Sequence, residues 1–233
     1  QKLGWNIDIN NESYFIISKA FEPFNNINNT VNRILLQNIP DAQFLSIDNG
    51  VTFGVNKFRN KNSFAAQDSI VTFFLRNNKD AKRVMLAGSF NNWSPDILAM
   101  KQTDSGWIAN VNLSPGKYWY KFVVDGNWIV DNDNQLKEND GQGNINSVYY
   151  KTNTLFELDG FVNAKKVFLS GSFNNLKRNE LLMTKTSTGW MLPLYLAEGT
   201  HTYKFIVDGK WLKDERNTEK LPYGNGGFNS VIR

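Results

Sequence analysis

The sequence predicts a mainly β protein that contains two tandem β-sandwiches. The first observation is an internal repeat: shifted by 83 positions, residues 71–150 align without a gap with residues 154–233, and 33 of the 80 aligned positions are identical. The second is the length of this unit, which exceeds the roughly 20–50 residues of a solenoid repeat and suits a complete small domain. The third is a pattern of short strands and turns in each copy. We therefore divide the chain into a leader (residues 1–67), copy one (68–150) and copy two (151–233).

The strands of each copy are predicted from apolar runs and turn signals. Residues 84–88 form an apolar run that stops at glycine, which is typical of a buried strand. A later strand is followed by Asp-Gly, a strong signal for a tight hairpin turn, and then by Trp. Alternation along that strand places Tyr120 and Phe122 on the core face and Lys121 on the opposite face, and Lys204 of copy two points outwards in the same way. Turn signals about every 8–12 residues predict a compact sandwich.

The leader has a different pattern and predicts a small β-α-β-β unit. Residues 13–18 are a predicted strand, and residues 29–39 have helical spacing of apolar side chains and end before a proline. Residues 44–47 and 51–55 flank an Asp-Asn-Gly turn and predict a hairpin. The polar stretch 56–68 is the predicted linker. We find no functional signal in the leader and assign it no role.

Composition excludes several classes of function. The chain contains no cysteine, which rules out disulfides, thiolate metal sites and cysteine nucleophiles. No run approaches 18 apolar residues, so no transmembrane segment is predicted. The net charge of +4 is concentrated in copy two, where basic residues are scattered among acidic ones. This scatter favours a solvated surface over a nucleic-acid interface.

Three motifs of copy one, which recur in copy two, resemble a known family. They are Gly-Ser-Phe-Asn-Asn-Trp at 88–93, Tyr-Lys-Phe-Val-Val-Asp-Gly-Asn-Trp at 120–128 and Gly-Asn-Ile-Asn-Ser-Val at 143–148. Together they resemble the glycogen-binding module of AMP-activated protein kinase β subunits, a member of carbohydrate-binding module family 48. The resemblance covers both copies and not the leader. It implies tandem immunoglobulin-like (early-set) β-sandwiches, behind a small α+β N-terminal domain, that bind α-1,4-linked glucan such as glycogen, starch or maltodextrin.

The resemblance also implies a binding site, in which two Trp rings stack on glucose while a Lys and an Asn bind sugar hydroxyls. Carried over by position, the site in copy one consists of Trp93, Lys121, Trp128 and Asn146, with Asn144 where the kinase motif has Thr. Flat rings beside polar groups suit sugars, whose C–H faces are apolar and whose hydroxyls are polar. Core packing is the alternative for Trp93 and Trp128. Both follow loop or hairpin signals, so we expect them to be exposed, and we expect Trp107 to lie in the core.

Copy two departs from this pattern at one platform position. Leu176 replaces the first Trp, whereas Lys204, Trp211 and Asn229 remain as implied sugar-binding residues. Losing one stacking ring costs on the order of 1 kcal/mol, by analogy with aromatic contacts. We therefore expect copy two to bind weakly or to act as a spacer. The Ser-Phe-Asn-Asn and Asp-Gly residues of both copies are explained at least as well by turn formation as by ligand contact.

Catalysis finds no support in the sequence, and we predict no enzyme, no cofactor and no metal site. The single histidine, His201, has no Cys or serine-motif partner for a triad or a metal site. The acidic pairs Asp131–Asp133 and Asp214–Glu215 fall in polar loops, where solvation is the simpler interpretation. Glycoside hydrolysis in the related enzymes needs a separate barrel of about 250 residues.

The cellular setting is predicted from two weaker signals. The chain starts at Gln1 rather than Met, which suggests a removed leader segment. Asn92 and Asn112 would be glycan acceptors in a eukaryotic secretory pathway, and a glycan at Asn92 would obstruct the binding motif. We therefore expect an exported bacterial protein, in the periplasm or at the cell surface. The contrasting hypothesis is a structural or protein-interaction role, in which the sandwiches are spacers and the N-terminal domain docks onto a larger cell-envelope assembly.

Overall fold

The computed structural model describes residues 6–10, 14–18, 50–59, 64–67, 69–223 and 227–233. The chain divides into a unit of residues 1–40 and a unit of residues 41–233. In the first unit, strands β1 (Asn6–Asn10) and β2 (Tyr14–Ser18) form an antiparallel pair. Strand β2 matches the strand predicted for residues 13–18. The predicted helix at 29–39 and the predicted strand at 44–47 lie outside the described residues, so the α+β character of the leader stays a prediction.

The second unit contains both copies. Its strands are β3 (Phe53–Gly54), β4 (Phe64–Gln67), β5 (Ile70–Arg76), β6 (Val84–Gly88), β7 (Lys101–Thr103), β8 (Gly106–Asn112), β9 (Gly116–Val124), β10 (Asn127–Ile129), β11 (Lys137–Asn139), β12 (Ile145–Lys151), β13 (Thr154–Asp159), β14 (Val167–Gly171), β15 (Leu181–Leu182), β16 (Thr184–Lys185), β17 (Gly189–Leu196), β18 (His201–Val207), β19 (Lys210–Leu212), β20 (Lys220–Tyr223) and β21 (Gly227–Ile232). One short 3₁₀ turn follows β6 (Ser89–Asn91), and another follows β14 (Ser172–Asn174).

Each copy is a sandwich of two antiparallel sheets, which confirms the predicted fold. In copy one, sheet A runs β4-β5-β8-β7, and sheet B contains β6 and β9 to β12. Strand β9 is the centre of sheet B. Strand β6 pairs along one edge of β9, while β10 and β12 share the other edge. In copy two, β13, β16 and β17 form sheet C together with β3, and β14, β15 and β18 to β21 form sheet D.

The core of copy one lies between its sheets. Phe73 of sheet A packs edge-on against Tyr120 of sheet B, with the ring centroids 5.0 Å apart, and both side chains are fully buried. Burying a large apolar side chain stabilises the fold by about 1.5–3 kcal/mol. Trp107 is buried as predicted, and its indole N–H donates to the carbonyl of Asn78 at 2.9 Å. Its repeat, Trp190, is buried in copy two in the same way.

The single histidine belongs to the core of copy two. His201 is buried, its Nε2 lies 2.9 Å from the carbonyl oxygen of Ala197, and its ring packs on Phe173. The corresponding residue of copy one is Tyr118, whose hydroxyl donates to the carbonyl four residues earlier, at Ser114. His201 therefore occupies the position of a structural tyrosine.

A buried polar cluster connects β9 to the segment after β10. The hydroxyl of Tyr120 donates to Asp131 at 2.7 Å, and the side-chain amide of Asn134 donates to the same hydroxyl at 3.1 Å. The N–H of Asp131 donates to the hydroxyl of Ser147 at 2.8 Å. Asp131 is only 2% exposed, and burial raises its pKa above the ordinary 3.8. The predicted solvated carboxylate pair is therefore wrong for Asp131, which is a structural group.

Replacing Tyr120 with Phe is expected to destabilise the protein by about 1–3 kcal/mol at neutral pH, because a buried carboxylate and a buried amide lose a partner. Tyr203→Phe is the matched variant, because the Tyr203 hydroxyl donates to Asp214 at 2.7 Å in a less buried copy of the cluster. We expect it to cost less. The hydrogen bond from Tyr120 lowers the pKa of Asp131. The stability that Tyr120→Phe loses should therefore be larger at pH values above the pKa of Asp131, where the carboxylate is ionised, and smaller in acid. Calorimetric melting curves would measure it, and equal losses in the two variants would contradict the burial argument.

Residues 50–59, which we call the strap, contact both copies. Phe53 and Gly54 pair with the end of β17, and Phe53 packs against the core of copy two. Further along, Phe58 packs against the core of copy one and forms a β-bridge with Asn134. The N–H of Arg59 donates to the carbonyl of Asp133 at 2.9 Å. Residues 57–59 were predicted to lie in a polar linker, whereas the structure places them in backbone contact with copy one.

Candidate functional site

The candidate site lies on the outer face of sheet B, the side that points away from the sandwich core. Strand alternation defines this face. On β9, Tyr120 and Phe122 point into the core, so the odd-numbered residues 119, 121 and 123 point out. Residue Trp128 lies directly opposite Val123 and therefore shares the outer face. The outward residues of sheet B include Met85, Ala87, Trp119, Lys121, Val123, Trp128 and Asn146.

The loop that carries Trp93 is held by backbone and Asn side-chain hydrogen bonds. Asn92 and Trp93 both adopt left-handed backbone conformations, with φ of 52° and 57°. The side chain of Asn91 accepts a hydrogen bond from the N–H of Gly88 at 2.8 Å and donates to the carbonyl of Leu86 at 3.0 Å. The N–H of Trp93 donates to the carbonyl of Gly88 at 2.9 Å. Asn91 is therefore a turn-forming residue, and the turn fixes where Trp93 emerges.

The turn that carries Trp128 is fixed by Asp125. Its carboxylate accepts hydrogen bonds from the N–H groups of Lys82 and Arg83 at 2.8–3.2 Å. Gly126 takes φ of 86°, a left-handed conformation that favours glycine. Asp208 accepts the same pair of bonds from Lys165 and Lys166 in copy two. The repeated Asp-Gly thus sets the hairpin and does not itself form the binding surface.

Trp93 and Trp128 come together at one end of the outer face. Their ring centroids are 6.3 Å apart, with an angle of 47° between the ring planes. Trp128 is 44% exposed and Trp93 is half-buried, so neither indole lies in the sandwich core. Beside them, Met85, Ala87 and Val123 form a small buried apolar cluster on the outer face. The two indoles form what we call the platform.

Lys121 and Asn144 are linked through Asp140 in the loop between β11 and β12. The Asp140 carboxylate accepts hydrogen bonds from the side-chain amide of Asn144 at 2.7 Å and from the N–H of Gln142 at 2.8 Å. These bonds, with a smaller contribution from the positive charge of Lys121, lower the pKa of Asp140. The Asp140 carboxylate is therefore within electrostatic range of Lys121. The direct partner of Asn144 is Asp140.

Asn146 lies on the same outer face, opposite Glu138 in the register of β11 and β12. It is 2% exposed, more buried than its repeat Asn229, which is partly exposed. Its Nδ2 is a buried donor without a hydrogen-bond partner in the part of the chain that the structure describes. An unpaired buried donor costs about 1–3 kcal/mol. A sugar hydroxyl could satisfy it only after the side chains that cover it move, and the role of Asn146 in sugar binding stays a prediction.

Sequence reasoning missed one group on this face. Trp119 is partly exposed, and its indole N–H donates to Glu138 Oε2 at 2.8 Å. The Nζ of Lys117 lies 2.5 Å from the same oxygen and 5.6 Å from the centroid of the Trp119 ring. Alternation along β9 would have placed Trp119 on the face of Lys121.

Copy two presents the same backbone with different side chains. Leu176 has φ of 56° and its N–H donates to the carbonyl of Gly171 at 2.9 Å, as Trp93 does to Gly88. Leu176 is 46% exposed and Trp211 is 42% exposed. The guanidinium of Arg178 lies 5.5 Å from the centroid of the Trp211 ring and donates to the carbonyl of Gly209 at 3.0 Å. Sequence reasoning missed this cation, which lies over one face of a Trp211 ring that is about as exposed overall as Trp128.

Each of the tandem sandwiches presents an exposed Trp after its Asp-Gly hairpin. The chain belongs to the family of the glycogen recognition site of AMP-activated protein kinase, which matches residues 71–157 and again residues 152–232. Subunit beta-1 of that kinase from Sus scrofa is 44% identical over 61 residues, which cover 26% of this chain and 47% of the subunit. Subunit beta-2 from Homo sapiens is 33% identical over 84 residues, which cover 36% of this chain and 30% of the subunit. The chain thus matches less than half of the length of these relatives.

Among solved structures, the maltogenic amylase from S. marinus aligns with 77% of this chain and 30% of its own, at a TM-score of 0.33 and 15% identity. This similarity is too low to support an inference. Within the described residues, no helix is long and apolar enough to cross a membrane. The same part of the chain contains no group of three acidic or histidine side chains placed to hold a metal ion.

Proposed function

We propose that this chain binds α-1,4-linked glucan, such as glycogen, starch or maltodextrin, without catalysis and chiefly through the outer face of copy one. The observation that carries the proposal is the platform: two indoles that are not in the core, 6.3 Å apart, beside an apolar cluster. Aromatic faces gain contact with apolar sugar C–H faces. Membership of a family named for glycogen recognition supports the same ligand.

Polar groups close to the platform suit the hydroxyls of such a ligand. Lys121 lies next to Val123 in the outward series of β9, and Trp128 lies opposite Val123. The ammonium group of Lys121 can donate to hydroxyls beside a ring that stacks on Trp128. Asn146 lies on the same face, and a local shift that exposes its buried, unpaired Nδ2 would add a further donor. This combination of flat apolar faces and a few fixed polar groups is typical of small-molecule and sugar sites.

Copy two is proposed to contribute little to sugar binding. Leu176 offers no stacking ring, and Arg178 lies over part of the second ring, Trp211. A sugar that stacks on the face of Trp211 beneath Arg178 would have to displace the guanidinium from an interaction of about 0.5–1 kcal/mol. These two residues favour a spacer or protein-docking role for copy two, in line with the contrasting hypothesis. An envelope assembly, a location outside the cytoplasm and a bacterial origin stay predictions from the sequence.

Co-sedimentation of the intact chain with glycogen tests the proposed function. We expect the chain to sediment with glycogen and to be released by soluble maltoheptaose. Cellulose is the control, because its β-linked chains present a different shape to the platform. A second control is the variant Trp93→Ala with Trp128→Ala, which should stay in the supernatant. Failure of the intact chain to sediment with glycogen, or equal sedimentation with cellulose, would refute α-glucan binding.

A further inference from the structure

The outer face of copy one continues beyond the platform. Trp119 lies four residues from Val123 along β9, which places the two positions about 13 Å apart on the same face. Lys121 lies midway between them. Trp128, opposite Val123, therefore marks one end of a strip and Trp119 marks the other. This strip has an aromatic ring at each end and a cation between them, and it is longer than the platform alone.

The indole of Trp119 is held in place by its neighbours. Its N–H donates to Glu138 at 2.8 Å, and Lys117, itself buried, binds the same carboxylate oxygen and lies beside the indole ring. A ring fixed in this way loses little conformational freedom on binding, and such preorganisation raises affinity. Glu138 is partly exposed and carries a second carboxylate oxygen that can accept from a sugar hydroxyl.

The strip ends where copy one meets copy two. Tyr150 lies opposite Lys117 on β12, and its ring stacks on Tyr195 of copy two with centroids 6.2 Å apart and planes 17° from parallel. The side chain of Asn56, in the strap, donates to the carbonyl of Tyr150 at 2.8 Å and accepts from its N–H at 2.9 Å. Gly54 packs directly against the Tyr150 ring. This junction closes the outer face beyond Trp119 on the β12 side.

Copy two lacks every member of this group. Thr200, Thr202 and Leu221 stand at the positions of Lys117, Trp119 and Glu138. The ring, its cation and its carboxylate are therefore specific to copy one and are not part of the shared sandwich core. A function in the shared sandwich core would be expected in both copies, so the structural alternative that remains is support of the junction at Tyr150.

We propose that Trp119 forms a second stacking subsite in copy one, which takes further sugar units of the same α-glucan chain that the platform holds. The occupant is a glucan because the strip carries the same chain from the platform past Lys121, to which the proposed function assigns sugar hydroxyls, to the Trp119 ring. This inference rests on the proposed function. It adds that affinity depends on chain length, since only chains that reach from the platform to Trp119 gain the second contact.

The test compares maltotriose and maltoheptaose by titration calorimetry on the full chain. The unchanged protein should bind maltoheptaose about 2- to 12-fold more tightly than maltotriose, as one added aromatic contact predicts. The variant Trp119→Thr, with the residue of copy two, should bind maltotriose unchanged and lose the gain for maltoheptaose. Trp119→Phe keeps a stacking ring without the bond to Glu138 and should retain most of the gain.

The outcomes separate the two proposals. If the unchanged chain binds neither sugar, the proposed function fails, and this inference fails with it. If the unchanged chain binds both sugars and Trp119→Thr keeps the full gain, glucan binding stands and the Trp119 subsite is refuted. If Trp119→Thr weakens both sugars equally and lowers the melting temperature, Trp119 supports the fold and the subsite is also refuted.

Discussion

Replacing Trp93 with Ala should reduce glycogen binding to an undetectable level in affinity electrophoresis while the melting temperature changes little. The indole is one of two platform rings, and a central aromatic side chain of an interface commonly contributes 2 kcal/mol or more, about a 30-fold change in affinity. The loop does not need the indole for its shape. Its geometry depends on the side chain of Asn91 and on the backbone bond from residue 93 to Gly88, both of which an alanine preserves.

Two further variants make this test specific. Trp128→Ala removes the other platform ring, which is 44% exposed, and should have the same effect on binding. Trp107→Ala removes a buried core ring and should cost about 3–5 kcal/mol of stability, typical of a large-to-small core substitution. If Trp93→Ala lowers the melting temperature as much as Trp107→Ala does, Trp93 is a structural residue. The platform would then have to be abandoned.

The fold could be predicted from the sequence because its signals are local and repeated. Alternation around Tyr120 and Phe122 gave the correct core face, and the Asp-Gly hairpin appears where predicted, between β9 and β10. The burial of Trp107 also followed from its place in an alternating strand. Each of these depends on neighbouring residues within one strand or turn, and the identical positions of the repeat supplied a second, independent example of each.

The strap and the acidic cluster could not be predicted in this way, because they depend on contacts between distant segments. Phe53 and Gly54 pair with Tyr195 and Leu196, more than a hundred positions later in the chain. Asp131 lies in a polar stretch of sequence, yet it is buried and its carboxylate accepts a hydrogen bond from the distant Tyr120 hydroxyl. No local pattern distinguishes such a carboxylate from a solvated one. The sequence therefore favoured a local hairpin strand for residues 51–55, a linker for residues 56–59 and a hydrated loop for Asp131.

The candidate site was predicted in part. The resemblance named Trp93 and Trp128, and the structure brings their rings together. It did not name Trp119 or Arg178, because the family motifs do not include these positions. Both are found only when the register of β9 or the path of the loop after β14 is known. With Leu176, these two residues distinguish the candidate surface of copy one from the corresponding surface of copy two most clearly.

Two substitutions made together should give copy two a sugar-binding site. Leu176→Trp places an indole on a backbone that matches that of Trp93, with φ of 56° against 57° and the same hydrogen bond to the preceding glycine. On its own this change should give little, because Arg178 still lies over Trp211. Adding Arg178→Ala uncovers that ring. We expect the pair to strengthen binding by about 0.5–1.5 kcal/mol for the new stacking contact, or roughly 2- to 12-fold.

The experiment is best done in the full chain with Trp93→Ala as the background, because the strap pairs with β17 and contributes to the core of copy two. In that background we expect no detectable glucan binding by copy one, so maltoheptaose titrations measure binding by copy two. The series adds Leu176→Trp alone, Arg178→Ala alone and both together. The double variant should exceed the sum of the single ones, since the new indole and the uncovered Trp211 must stack on the same sugar chain. If the double variant binds no better than the background, the surface of copy two has diverged beyond these two positions, and a spacer or docking role becomes the better account of it.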